Sequence, residues 1–74
     1  MSTVSVVDIE AGSNFYVFDG KNEIKYTVLE NYGEVMHSDD HRPRRKMIAL
    51  LLKTNYTAVY HFDPNEVLNL QSRK

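Results

Sequence analysis

Residues 37 to 46, His-Ser-Asp-Asp-His-Arg-Pro-Arg-Arg-Lys, gather the side chains of this sequence best suited to chemistry. His37 and His41 stand four apart with Asp39 and Asp40 between them, and imidazole with carboxylate can ligate zinc or a similar ion. That spacing aims two ligands the same way only on a helix. The stretch contains Pro43 and reads as a loop, so no metal site is assigned. Ser38 beside His37 and Asp39 supplies the residue types of a hydrolytic triad, but neighbours in a loop cannot hold triad geometry. No glycine-rich phosphate loop is present either, and the reading is that the protein is not an enzyme. Arg42, Arg44, Arg45 and Lys46 form the one basic cluster, with Tyr32 and Tyr56 available to stack on bases. Asp39 and Asp40 beside the cluster neutralise part of it.

The elements that must position these groups belong to one small domain. The chain has 74 residues, a size at which only about 60% of the unfolded chain's surface is buried on folding, so a compact core is required. Hydrophobic residues at 42% and charged residues at 26% fit a folded chain, not a disordered one. The net charge of -1 gives no overall attraction for a polyanion, so nucleic-acid binding would need the local cluster. Absence of cysteine excludes disulfides and thiolate chemistry. No apolar run is long enough to span a bilayer, and the N-terminus has no signal-peptide pattern. The expectation is a soluble, unprocessed cytoplasmic protein with no membrane partner, no cofactor and no small-molecule substrate.

Apolar residues alternate or run in short blocks between turn signals, which is strand periodicity. Residues 4–10 form a candidate first strand. Residues 15–19 and 23–30 read as a hairpin about Asp19-Gly20-Lys21-Asn22. Residues 34–45 read as a long loop. Residues 46–53 and 56–62 read as a second hairpin about a two-residue turn, Thr54 and Asn55. The apolar block 47–52 is too short for a helix and leads straight into β-branched and aromatic residues, so strand is preferred. Asp63, Pro64 and Glu66 occupy cap, first and third helical positions, which predicts a short helical or 3₁₀ turn near residues 63–67 before a strand at 67–70. The core spans residues 12–70, and residues 71–74 form a frayed tail.

A two-residue turn would set Lys53 against Tyr56 and leave both faces of the second hairpin largely apolar. One face would carry Leu52, Leu50 and Ile48 with Thr57, Val59 and His61, where His61 reads as a partly buried structural histidine. The other would carry Leu51, Ala49 and Met47 with Ala58, Tyr60 and Phe62. Either the sheet curls and covers that second face, or Met47, Ala49, Tyr60 and Phe62 meet another chain.

The order of elements, with GSNFYVFDG, a strand ending YTVLE, a variable loop, the hairpin MIALLLKTNYTAVYHF and the capped DPNEVLNL, resembles SH3-like small β-barrels of Tudor and KOW layout. The resemblance runs from Gly12 to Leu70, is one of layout, and does not extend to an aromatic cage. It implies an all-β, five- to six-stranded antiparallel barrel, with residues 4–10 as an added edge strand. It also implies a module that binds a protein or nucleic acid. The leading functional expectation is a non-catalytic protein-binding module that binds a larger protein machine or itself. Its size and style are those of the accessory and inhibitory proteins that phages and mobile elements encode. The alternative is a nucleic-acid-binding barrel using Arg42, Arg44, Arg45, Lys46 and Tyr32.

Overall fold

The computed structural model describes residues 2–72. Six antiparallel strands form one sheet: β1 (Thr3–Ser5), β2 (Asn14–Phe18), β3 (Glu23–Asp39), β4 (Arg42–Lys53), β5 (Thr57–Phe62) and β6 (Val67–Asn69). The order across the sheet is β1-β6-β2-β3-β4-β5, so β1 and β5 are its edges. The sheet is all-β as the periodicity predicts, but it stays open where a barrel would close.

Curling replaces closure. On β4, alternate residues Ile48, Leu50 and Leu52 are all but fully buried on the inner face, and Phe15, Val28 and Leu68 meet them from β2, β3 and β6. The Phe15 ring stacks on Tyr26 at 5.1 Å and meets the edge of Phe62 at 6.3 Å, although β3 and β4 lie between β2 and β5. Tyr26 and Tyr60 make a further edge contact at 5.8 Å. These four rings span the concave side and hold β5 toward β2.

Two bulges in β3 produce the bend. The register slips between Val28 and Glu30 and again between Asn31 and Gly33, leaving Leu29 and Tyr32 as extra residues on β3. Gly33, at φ 78°, takes the left-handed backbone that follows the second slip. Bulging also turns the Asn31 side chain inward. Its Nδ2 donates to the carbonyls of Val6, Val7 and Ile9, the last at 2.9 Å, while its Oδ1 accepts from the Gly33 N–H at 2.8 Å.

The expected strand over residues 4–10 is therefore short. After β1 pairs with β6, the chain turns at residues 6–8, where the Asp8 N–H donates to the Ser5 carbonyl, and Val6 and Ile9 plug the concave core. Among the described residues no helix forms. The segment from Asp63 to Glu66 is a single turn in which Asn65 N–H donates to Asp63 Oδ1 and Asp63 N–H to Glu66 Oε2. The capping pattern is satisfied, yet β6 begins at once and leaves no room to propagate a helix. Of the expected frayed tail, Ser72 hydrogen-bonds Glu23, and residues 73 and 74 lie outside the described residues.

Residues 34–45 are the largest departure from expectation: they are not a loop but strand on both sides of a tight turn at Asp40 and His41. β5 stops pairing at Ile48, so the outer parts of β3 and β4 form a two-stranded arm. Pro43 is tolerated because β4 has no neighbour on that side there.

Leu50→Ala should cost about 2–5 kcal/mol in urea unfolding, since the site is closed on all sides and cannot collapse freely. Asn31→Ala should cost about 1–2 kcal/mol, and in hydrogen exchange its effect should concentrate on residues 6–9.

Candidate functional site: the β5 edge and the β3–β4 arm

The second hairpin closes through three residues, Thr54 to Tyr56, and Lys53 pairs with Thr57 instead of Tyr56. A two-residue hairpin turn needs positive φ, and among the described residues only Gly12, Gly20 and Gly33 adopt it. Asn55 does not, so the chain takes one more residue.

That single step reassigns the faces. Met47 and Ala49 lie on the outer face, opposite in register to Val35 and Gly33 on β3, and both are buried. Tyr60 and Phe62 lie on the inner face, half-buried against the core and paired with Leu50 and Ile48. The four residues expected to form one apolar patch are thus split between two faces. The outer face of β5 carries Thr57, Val59 and His61 instead, with Val59 47% exposed.

A pair of histidines meets across the outer side of β4. His37, on the arm, and His61, on β5, stack with ring centroids 4.0 Å apart. His37 pairs in register with Arg45 and His61 with Ala49, so Met47 lies between their rows on β4. Burial, and then the neighbouring His37, hold the His61 imidazole below its ordinary value. Sequence spacing could not reveal this pair; only the shifted register puts His61 on the outer face.

At the arm, Arg42, Arg44 and Lys46 are exposed, whereas Arg45 is half-buried and its Nη1 is buried with no hydrogen-bond partner. The His41 N–H donates to Asp39 Oδ1 at 2.9 Å. That bond holds the Asp39 carboxyl below the usual range against the opposing effect of burial, with lesser help from the Arg42 N–H and the charges of Arg45 and Arg42. Part of the cationic charge therefore serves the turn. Tyr32 is exposed at the second bulge, beside the Ala49 row and away from the cations. Tyr56 is exposed in the β4–β5 turn, and its side-chain hydrogen bond to Tyr60, together with partial burial, raises the Tyr60 phenol above its ordinary value.

Among the described residues no three His, Asp or Glu side chains gather to hold a metal ion; His37 lies on β3 and His41 in the arm's turn. Two shallow depressions, one beside Lys53 and one beside Phe18, are lined by neither a serine nor a histidine. No helix among the described residues is long and apolar enough to cross a membrane.

The edges of the sheet differ in kind. β1 has only three residues. Along the arm, β4 carries Pro43 and the exposed cations Arg42, Arg44 and Lys46, and β3, unpaired with β2 beyond Thr27, carries the exposed acids Glu30, Glu34 and Asp39, features that discourage strand pairing. β5 runs six residues, Thr-Ala-Val-Tyr-His-Phe, with no proline, no lysine and no acidic group, and among the described residues nothing pairs with it beyond β4. Sequence reasoning missed this edge because charge and proline content had drawn attention to the arm. No protein-family model, curated protein or solved structure matches the chain.

Because the His61 imidazole binds its proton less readily when folded, the unfolded chain takes up protons first as pH falls. Stability should be full above the ordinary value of 6.5 and decline as pH drops through the lower folded value. Urea midpoints measured across this range should fall for the native protein and stay flatter for His61→Gln, which removes the shifted imidazole.

Proposed function

We propose that the protein is a non-catalytic protein-binding module that takes a β-strand of its partner onto the free edge of β5. The observation that carries this reading is the contrast between the edges: short at β1, defended along the arm, and long, uncharged and bare at β5. A strand added there would gain main-chain hydrogen bonds, and the alternating Val59 and Tyr60 faces would select its side chains. Tyr60 and Phe62 keep their expected interface role in this arrangement, since their half-buried rings border the new strand. Met47 and Ala49 act beneath it as packing.

In this reading the chain is a small cytoplasmic accessory or inhibitory protein, in keeping with the SH3-like layout that the sequence resembles. Modules of that layout commonly act by binding. A second reading has one specific observation in its favour: Arg42, Arg44 and Lys46 are exposed on a two-stranded ribbon, a shape that fits a nucleic-acid groove.

Val59→Lys decides between them. The side chain points outward and is exposed, so the fold should survive, while a lysine on the edge opposes strand addition. Partner capture should drop at least about tenfold with Val59→Lys, and it should persist at high salt and with Arg42→Ala plus Arg44→Ala. The reverse pattern, capture of nucleic acid that is abolished by salt and by the arginine changes but indifferent to residue 59, would overturn the proposal.

A further inference from the structure

The β5 edge is complementary to itself, and we infer that the strand it takes is β5 of a second copy, paired antiparallel about a two-fold axis through Tyr60. The inference rests on the strand-addition reading above and names its partner.

Symmetry leaves few registers. A two-fold axis perpendicular to the sheet keeps the same face upward in both copies, so residues set opposite each other must share a face. Two centred registers satisfy this. Pairing about Val59 places His61 of the second copy opposite Thr57, one strand away from Lys53, so that acid would bring two cations together. Pairing about Tyr60 places Ala58 opposite Phe62 and Val59 opposite His61 of the second copy, and the two Tyr60 rings meet at the axis.

The Tyr60 register also settles the ends. It sets Asp63 of the second copy opposite Thr57, whose partner on β4 is Lys53. Lys53, Thr57 and the incoming Asp63 then form one row on the outer face, with the ammonium and carboxylate flanking Thr57, and symmetry repeats the row at the other end. Both Lys53 and Asp63 are exposed in the single chain. Asp63 spends one oxygen on the Asn65 N–H, which fixes the carboxylate at the end of the strand. β5 carries no acidic group, arginine or lysine of its own, so like copies do not repel along it at neutral pH.

Light scattering on a sizing column and sedimentation equilibrium test this on the whole chain. The expected result is a concentration-dependent species of twice the 8.6 kDa chain mass, with β5 amides gaining hydrogen-exchange protection as it forms. Val59→Lys should abolish it. Lys53→Glu sets two carboxylates on either side of Thr57 at both ends and should weaken the dimer about tenfold. Adding Asp63→Asn, which keeps the oxygen that accepts from Asn65, should restore affinity to within a few-fold of native.

A chain that stays monomeric at every concentration overturns the inference. If such a monomer still captures a different protein in a manner sensitive to Val59→Lys, the edge reading stands and only self-pairing fails. A dimer insensitive to Val59→Lys overturns both. A dimer that Val59→Lys disrupts and Lys53→Glu leaves unchanged overturns the Tyr60 register. Circular dichroism of each variant verifies that it is folded before its mass is interpreted.

Discussion

Strand β4 has to be covered on both faces, and the rest of the structure follows from that requirement. Ile48, Leu50 and Leu52 are buried on one side, and Met47 and Ala49 on the other. A strand apolar on both sides cannot sit at a wet edge, so β4 lies between β3 and β5. The inner side is closed by curling, which brings Phe62 to Phe15 and draws residues 6–9 in as a plug held by Asn31. Among the described residues no second layer meets the outer side. A chain of this length supplies instead the His37–His61 stack, reached by extending the β3–β4 hairpin until His37 can meet β5.

Much of this was legible in the residue pattern. The strand at 46–53, the Asp19 hairpin and the final short strand all announce themselves through apolar alternation and turn chemistry. Asp19 shows the mechanism: its Oδ1 accepts from the Asn22 N–H at 2.8 Å and Gly20 takes positive φ, so one short motif specifies the whole turn. The outer strands of the arm were also written in the sequence, since half-buried Val35 and His37 alternate with exposed Glu34, Met36 and Ser38. That alternation was outweighed by Pro43 and the charges, which signal a loop only where both neighbours of a strand must be paired.

Register was not legible, for a definable reason. Turn length depends on whether Asn55 adopts positive φ, a choice worth little energy locally and settled by the whole sheet. The bulges at Leu29 and Tyr32 are similar: neither residue announces a slip, but without slips β3 could not bend around the core. A one-residue error then exchanged the faces of Tyr60 and Phe62 and broke up the patch expected with Met47 and Ala49. The basic cluster kept its place in the chain and changed its setting, from a loop to one strand of a ribbon whose Asp39 accepts from the His41 N–H at the turn.

Edge design and core size are one problem in a chain this small. A sheet must end somewhere, and each end leaves backbone donors and acceptors facing water. This chain shortens one end to three residues and places proline and cations along the arm, yet leaves β5 undefended. Placing a lysine at residue 59 would cost the core little, because that side chain already points to solvent. Defence of the β5 edge was thus structurally accessible, and an apolar residue stands there instead. Adding a strand would extend burial over the exposed sides of Val59, Tyr60 and Phe62, which the isolated chain cannot cover with its own residues. In the proposed reading, the same six residues are where a partner strand would extend that burial.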